Sequence, residues 1–170
     1  VRYAEENRKK LVFIPRNCRD NELRAKEEAY FRELLGCDPE FLEPKEPYPG
    51  YSSVDYAEVV VTSDSTLGYE SIARGNKTAI FSFRSKFCKS WEGDFGWPRE
   101  FQGEGPFWTM NPEPDSFVRI LDYLFEIDNV QWCKDIEAVN FSSYVLYTLG
   151  NTILKSTLKK ILGEPPALAE

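Results

Sequence analysis

Short apolar runs alternate with helix-like segments along the first half of the chain, and this alternation is the strongest constraint on the fold. Apolar runs at residues 10–15 (KLVFIP), 58–62 (EVVVT) and 77–83 (KTAIFSF) have the composition of buried strands. Helical spacing of apolar residues follows the first two runs, at residues 21–36 and 63–75, and each helical segment ends at a glycine. Strands that alternate with helices through short loops predict a parallel sheet.

Further elements complete the predicted fold. Weaker strand candidates are residues 40–43 (EFLE) and 105–109 (GPFWT), and residues 51–56 are a candidate short helix. Residues 131–162 are expected to be helical, with a break at Gly150. We therefore predict an α/β fold, a Rossmann-like parallel sheet of about five strands with flanking helices and a helical C-terminal extension.

Two helix starts are predicted from polar residues. Asn21 or its neighbour Asp20 is expected to cap the helix after the first strand, and Asp115 the amphipathic helix that begins with SFVRIL. The length of 170 residues suits one domain, which we place at residues 1–163, followed by a flexible tail at 164–170. Because the chain begins at Val1 and its only methionine is Met110, we expect a further N-terminal domain to precede it.

The composition excludes several classes of function. A formal charge of -7 argues against sequence-independent binding to nucleic acid or to an anionic membrane, so an anionic ligand must be held locally. The absence of histidine removes the commonest general base and most zinc or iron centres. We predict no metal site, no resident cofactor and no transmembrane segment. The expected location is the cytoplasm, with the inner face of the membrane as an option.

The cysteines give a second indication of compartment. Cys18, Cys37, Cys88 and Cys133 lie far apart, and no two of them form a CxxC motif. This spacing favours structural thiols in a reducing cytosol over a disulfide or a metal site.

The segment with the clearest chemistry is the turn after the strongest strand. It contains Ser63, Asp64, Ser65 and Thr66. The helix that begins there has unpaired backbone N–H groups and a dipole that favours an anion, so the turn suits a phosphate. Gly68 leaves room for a ligand or a neighbouring backbone, and the Glu70 carboxylate lies where it can accept hydrogen bonds from sugar hydroxyls. The structural alternative is that Ser65 or Thr66 caps the helix and Glu70 completes a capping box.

The run DSTLGYESIARGNKTAIF, residues 64–81, resembles the C-terminal, donor-binding half of GT-B glycosyltransferases. The closest likeness is to bacterial surface-carbohydrate and capsule proteins related to Kdo and sialic acid transferases. Those proteins have a Ser/Thr-rich turn, then a Gly and a Glu on the following helix. The resemblance implies that Ser65 and Thr66 contact the phosphate of a nucleotide-sugar donor. It also implies that Glu70 orients this helix or binds a hydroxyl of the nucleotide, and that the acceptor binds to an N-terminal domain.

Other residues flank the predicted ligand edge. Where CMP-sugar transferases have a His-Pro pair, this chain has Ile14-Pro15 followed by Arg16, whose guanidinium is a candidate phosphate partner. Arg84, Lys86 and Lys89 follow the fourth strand and supply positive charge or form a solvated turn. The aromatic residues from Trp91 to Trp108, which overlap the long loop at residues 87–105, either stack on a base or sugar or pack onto this domain or its N-terminal partner.

The predicted function is the nucleotide-sugar-binding part of a glycosyltransferase that builds a surface polysaccharide. The nucleotide sugar is the substrate, and the carbohydrate acceptor is reached through the N-terminal domain. Two alternatives stay open at this point: a nucleotide-sugar epimerase of the same architecture, and a non-catalytic module that binds sugar or protein.

Overall fold

The computed structural model describes residues 1–16, 20–43, 49–88, 95–96, 101 and 103–163. The strands are β1 (Val12–Phe13), β2 (Glu40–Phe41), β3 (Val60–Thr62), β4 (Thr78–Phe81) and β5 (Trp108–Thr109). The helices are α1 (Arg2–Glu6), α2 (Asn21–Leu35), α3 (Pro49–Tyr56), α4 (Thr66–Ala73), α5 (Arg84–Cys88), α6 (Pro114–Glu126), α7 (Asn129–Ala138) and α8 (Thr152–Leu162). Two 3-10 turns, Phe141–Ser143 and Leu149–Asn151, lie between α7 and α8. The predicted tail at residues 164–170 lies outside the described residues.

The strands form two parallel sheets in the described part of the chain. In the first, β1 pairs with β2, with Val12 opposite Glu40. In the second, β4 lies between β3 and β5, with Val60 opposite Thr78 and Ile80 opposite Trp108. The α/β class and the parallel pairing are confirmed.

The prediction of one continuous five-stranded sheet is not met, because the five strands are divided between the two sheets. The first sheet is only two residues long on each strand. Pro15 and Pro39 flank these strands and lack the backbone N–H that a longer ladder would require. Pro15 thus limits the ladder after β1, and Pro39 limits it before β2.

The structure decides the predicted caps of two helices. Of the two candidates for α2, Asp20 is the cap and Asn21 is not, because the Asp20 carboxylate accepts from the N–H groups of Glu22 and Leu23 at 3.0 Å each. Helix α6 begins at Pro114, and Asp115 lies inside its first turn. Proline at the first helical position has its φ angle already set for a helix and has no N–H to satisfy, and Glu113 before it makes no side-chain cap. The break at Gly150 is confirmed by its left-handed φ of 71°.

The buried core lies around the second sheet. Its fully buried apolar residues come from α4, β4, β5, α6, α7 and neighbouring loops, and include Ile72, Ala79, Ile80, Phe95, Phe107, Ile120, Leu124, Trp132 and Phe141. The Phe107 ring packs edge-on to Trp132 at 5.0 Å, and the Trp132 indole N–H donates to the carbonyl of Gly75 at 3.0 Å. Phe95, Phe107 and Trp108 are buried in this core. For these three rings, the prediction that they pack onto the protein is therefore confirmed.

Contacts from the N-terminus connect the first sheet to this core. The Tyr3 hydroxyl on α1 donates to Asp122 of α6 at 2.7 Å. The Lys9 ammonium lies 3.9 Å from the centre of the Phe125 ring and donates to Glu58 at 2.9 Å. Lys9 precedes β1 and Glu58 precedes β3, so this ion pair holds the amino ends of the two sheets together. Within the described residues, no helix has the length and apolar character needed to cross a membrane.

Candidate functional site

The turn after β3 lies at the carboxyl edge of the second sheet. Strand β3 ends at Thr62, and the Ser63 hydroxyl then donates to the carbonyl of Phe81 on β4 at 3.1 Å. The side chains of Ser63, Asp64, Ser65 and Thr66 are all exposed. Ligands of parallel α/β sheets bind outside this edge, so the structure brings these four predicted residues together at an accessible position.

Ser65 caps helix α4. Its hydroxyl oxygen accepts from the N–H of Leu67 at 3.3 Å, and Thr66 is the first helical residue. This confirms the capping role predicted for Ser65. The capping box predicted for Glu70 is wrong, because the third helical residue, from which such a carboxylate reaches back, is Gly68.

Gly68 faces the strand rather than solvent. It is fully buried, and a Cβ at this position would lie 2.3 Å from the Cγ2 of Thr62 and 3.4 Å from the Cδ1 of Ile80. Only glycine lets α4 approach β3 and β4 this closely. Gly68 thus fixes the distance between the helix and the strand that together form the turn.

Arg84 connects the turn to the next strand. It is the first residue of α5, just past β4, and its guanidinium donates to the Asp64 carboxylate at 2.9 Å. The Arg84 side chain is 66% exposed and that of Asp64 31% exposed, so the pair lies at the surface. A permanent positive charge therefore lies beside the turn, paired with Asp64 at the surface, and a role of Arg84 toward a ligand stays a prediction.

Tyr69 anchors α4 to the aromatic core. Its hydroxyl accepts from the N–H of Gly96 at 2.8 Å, and its ring stacks on Phe95 and Phe141. Burial raises the pKa of Tyr69, and the nearby negative charge of Asp64 adds to the increase. Sequence reasoning missed Tyr69, because its partners are far away along the chain and no local pattern marks them.

The other two predicted residues lie outside the turn itself. Glu70 is half-buried on α4, and its carboxylate forms no hydrogen bond with any residue in the described ranges. Arg16 follows β1 in the first sheet, where its backbone N–H donates to Glu27 at 3.0 Å. No hydrogen bond or ion pair between described residues joins Arg16 to the turn.

A second polar cluster fixes the opposite end of α4. The Arg74 guanidinium makes a two-pronged ion pair with Asp55 of α3, and Asn76 donates to the same carboxylate at 3.0 Å. The rings of Tyr51 and Tyr147 lie 5.5 Å and 4.8 Å from the guanidinium. Hydrogen bonds from Arg74, and then from Asn76, lower the pKa of Asp55, and the Asp55 carboxylate raises the pKa of Arg74. The sequence showed no sign of this cluster, since Asp55 and Arg74 are 19 positions apart.

Cysteine and acidic residues contribute no further site in the part of the chain that the structure describes. Cys37 and Cys133 are free thiols on the surface. No group of three or more Cys, Asp or Glu side chains there is arranged to hold a metal ion. Cys18 and Lys89 lie outside the described residues.

The fold and the turn together define an α/β protein with an exposed, hydroxyl-rich turn at the carboxyl edge of its parallel strands. The chain belongs to a family of O-antigen biosynthesis proteins: a family model with the description "putative O-antigen biosynthesis protein" matches residues 1–162. No curated protein and no solved structure matches the chain. The family confirms the predicted role in surface-carbohydrate biosynthesis. The likeness to GT-B enzymes and to Kdo and sialic acid transferases stays a prediction.

Proposed function

We propose that this chain is the nucleotide-sugar-binding part of a GT-B glycosyltransferase that contributes to O-antigen or a related surface polysaccharide. One observation carries the proposal: an exposed turn of hydroxyl residues begins helix α4 at the carboxyl edge of a parallel sheet, beside Arg84. Synthesis of a polysaccharide requires activated sugars, and a phosphate leaving group is the usual form of activation. A phosphate site is thus the chemistry that this family needs.

The turn offers two kinds of donor to a phosphate. The backbone N–H groups of Asp64, Ser65 and Thr66 form no hydrogen bond within the described ranges, and the Thr66 hydroxyl lies exposed at the first turn of α4. Arg84 provides the charge, and we expect its guanidinium to turn from Asp64 toward the ligand. The site therefore holds an anion locally on a chain whose formal charge is -7.

Glu70 and Arg16 extend the proposed site on either side. The Glu70 carboxylate lies one turn beyond Thr66 and is assigned to a hydroxyl of the nucleotide or sugar. The Lys9–Glu58 ion pair holds the starts of β1 and β3 together, which gives the strand order β2-β1-β3-β4-β5 if the two sheets are neighbours. In that order β2 lies on one side of β1, and β3, β4 and β5 follow on the other, so the strand order switches between β1 and β3, where doubly wound sheets bind their ligands. Arg16 then lies on the β1 side of this crevice.

The proposed reaction is displacement at the anomeric carbon of the donor. As the bond to the phosphate breaks, negative charge grows on the leaving oxygen, and the N-terminus of α4 with Arg84 stabilises that charge. This stabilisation needs no metal ion. The acceptor and the group that takes its proton are assigned to a preceding N-terminal domain, so the 170-residue chain is expected to bind donor but not to transfer sugar.

An NMR titration of the chain with CMP, UDP and GDP, and with their sugar derivatives, tests the proposal. We expect the amide signals of residues 63–68 and of Arg84 to shift with at least one of these ligands. Unchanged signals at these positions under every ligand would refute the site. Turnover of a nucleotide sugar into glycosylated product by the chain alone would contradict the assignment of the acceptor site to another domain.

Two substitutions separate binding from folding. Ser65→Ala is a poor probe, because loss of the α4 cap alone costs about 1 kcal/mol of stability. Thr66→Val keeps the shape and leaves the cap intact, and Arg84→Gln removes the charge. Each should weaken nucleotide binding by about 10- to 100-fold, the effect of a lost hydrogen bond to a charged group. Lys134→Gln, which removes an exposed cation from α7, away from the turn, is the control and should bind normally.

Glu70→Gln tests the assignment of the carboxylate to a hydroxyl. The substitution preserves size but removes the charge that strengthens acceptance from hydroxyl groups. We expect weaker binding of the nucleotide sugar with an unchanged melting temperature, because the carboxylate holds no partner within the described residues. Normal affinity in the Thr66, Arg84 and Glu70 variants together would mean that the phosphate binds elsewhere.

A further inference from the structure

Helix α8 has an amphipathic sequence that the rest of the protein does not cover. Its apolar side chains, Ile153, Leu154, Leu158, Ile161 and Leu162, are between 43% and 77% exposed. Every residue of the 11-residue helix is exposed. Helix α6 has the same kind of apolar face but buries Ile120 and Leu124 in the core. A surface helix of this type normally packs its apolar face against something, and within the described chain α8 has no such cover.

The arrangement of charge on α8 is equally uneven. At about 3.6 residues per turn, the five apolar side chains occupy one half of the helix circumference. Lys155, Lys159 and Lys160 occupy the other half, and α8 has no acidic residue. None of the three lysines makes an ion pair with a residue that the structure describes. A compact apolar face bordered only by positive charge is typical of helices that lie in the surface of a membrane.

We propose that α8 binds the surface of a bilayer that contains anionic phospholipids, with its apolar face in the acyl-chain boundary and its lysines among the headgroup phosphates. Charge complementarity selects this occupant. Three cations without an acidic neighbour match an anionic surface, whereas two copies of α8 packed face to face would bring six lysines together. The proposal is independent of the nucleotide-sugar site.

The formal charge of the whole chain, -7, argues against a general attraction to an anionic membrane, but it does not decide the interaction of α8. At physiological salt, charges more than about 8 Å apart are largely screened, and α8 follows two left-handed residues, Gly150 and Asn151, that change the chain direction. A membrane surface therefore interacts with the local charge of α8 rather than with the average of the chain.

Co-sedimentation of the 170-residue chain with vesicles of phosphatidylglycerol, and separately of phosphatidylcholine, tests the proposal. We expect binding to the anionic vesicles that weakens as salt is raised from about 0.05 to about 0.5 M. The triple variant K155Q/K159Q/K160Q should bind about a hundredfold more weakly, since each lysine contributes about fivefold. The variant L154S/L158S/I161S should lose binding to the phosphatidylglycerol vesicles, together with any weaker binding to phosphatidylcholine.

Matched controls show whether the effects belong to α8. Lys134→Gln on α7 and Leu34→Ser on α2 change exposed residues of the same types elsewhere and should bind as the unaltered chain does. All the α8 variants should melt at the normal temperature, because none of these side chains is buried. No binding by the unaltered chain, equal binding to both lipids, or full binding by either triple variant would overturn the proposal. A dimer in light scattering that L154S/L158S/I161S dissociates would also overturn it, in favour of a second copy.

Discussion

The two sheets are built from the same strand–helix–strand pattern, yet only one of them has a buried core. In the second sheet, β4 places Thr78, Ala79 and Ile80 out of contact with water, and α4 covers them. In the first sheet, α2 has no buried residue, and Val12 of β1 is 36% exposed. The pattern of apolar residues thus specifies a helix or a strand, but it does not specify how completely that element will be covered.

Different interactions hold the first sheet together. Three rings, Phe13, Phe31 and Phe41, pack at centroid distances of 5.4 to 6.4 Å between α2 and the strands. Arg24 pairs with Glu28 at 2.6 Å and with Glu43 at 2.9 Å. A two-stranded sheet with one helix covers only one side of its strands, which is marginal for independent stability. The second sheet, packed against α4, α6 and α7, therefore carries most of the stability of the protein.

The largest expected effect on stability comes from a Phe→Ala substitution in the core of the second sheet, compared with the same substitution beside the first sheet. Phe107→Ala removes a ring that is 0% exposed and should lower the free energy of unfolding by about 3 to 5 kcal/mol. Phe31→Ala removes a partly exposed ring and should cost about 1 to 2 kcal/mol. Urea unfolding of both variants measures the difference.

Native-state hydrogen exchange checks the same comparison without substitutions. Amides of α2 should exchange through local opening, and those of β4 and α6 only through global unfolding. Equal destabilisation by the two phenylalanine substitutions, together with equal protection of α2 and β4, would show that both sheets share one cooperative core.

The next effect concerns the close approach of α4 to β3. Gly68→Ala brings a methyl group against Thr62 and should cost about 1 to 3 kcal/mol, because the helix or strand must move. Adding Thr62→Ser removes the nearest atom, Cγ2, and should recover part of that loss. Gly103→Ala, where nothing lies within 4 Å, is the control with little expected effect. An unchanged melting temperature in Gly68→Ala would mean that α4 has room to shift, and its position would then not fix the turn.

The sequence predicted the elements of the fold better than their assembly. Strands at residues 58–62 and 77–83, the helix between them and the stop at Gly36 followed from local composition, because β-branched runs and glycine act within a few residues. The division into two sheets did not follow from local composition. It depends on whether β1 or β2 also pairs with a strand of the second sheet, and such a pairing joins residues far apart in the chain.

The candidate site was predictable to a similar extent. The residues of the turn and the cap at Ser65 were visible in the sequence, since a strand, hydroxyl residues and a helix follow one another there. The hydrogen bond of Tyr69 to Gly96 and the Asp55–Arg74 ion pair were not visible, because each joins residues at least 19 positions apart. These long-range contacts hold both ends of α4, so the position of the turn depends on residues that no local motif contains.

The smallest expected effect comes from the contact between the N-terminus and the core. Burial, followed by the hydrogen bond to Asp122 and the negative charges of Asp122 and Glu126, raises the pKa of Tyr3 to about 12. An unfolded chain releases this proton near pH 10. Between these values the unfolded chain binds fewer protons than the folded one, so stability falls as pH rises through this window. The contribution is therefore complete below pH 10 and lost above about pH 12.

Tyr3→Phe isolates this contribution from the other titrating groups. At pH 8 the variant should be less stable by about 1 kcal/mol, the value of one partly exposed hydrogen bond. As pH rises toward 12, the difference between the variant and the unaltered chain should shrink, because the unaltered chain loses the same bond. Tyr56→Phe, at a side chain that is 91% exposed, is the control and should show no difference at any pH. If the variant is as stable as the unaltered chain at pH 8, Tyr3 stabilises the protein through its ring on Phe125, which the variant keeps, rather than through its hydroxyl. The junction between the two regions would then be apolar, and its strength would not depend on the charge of Asp122.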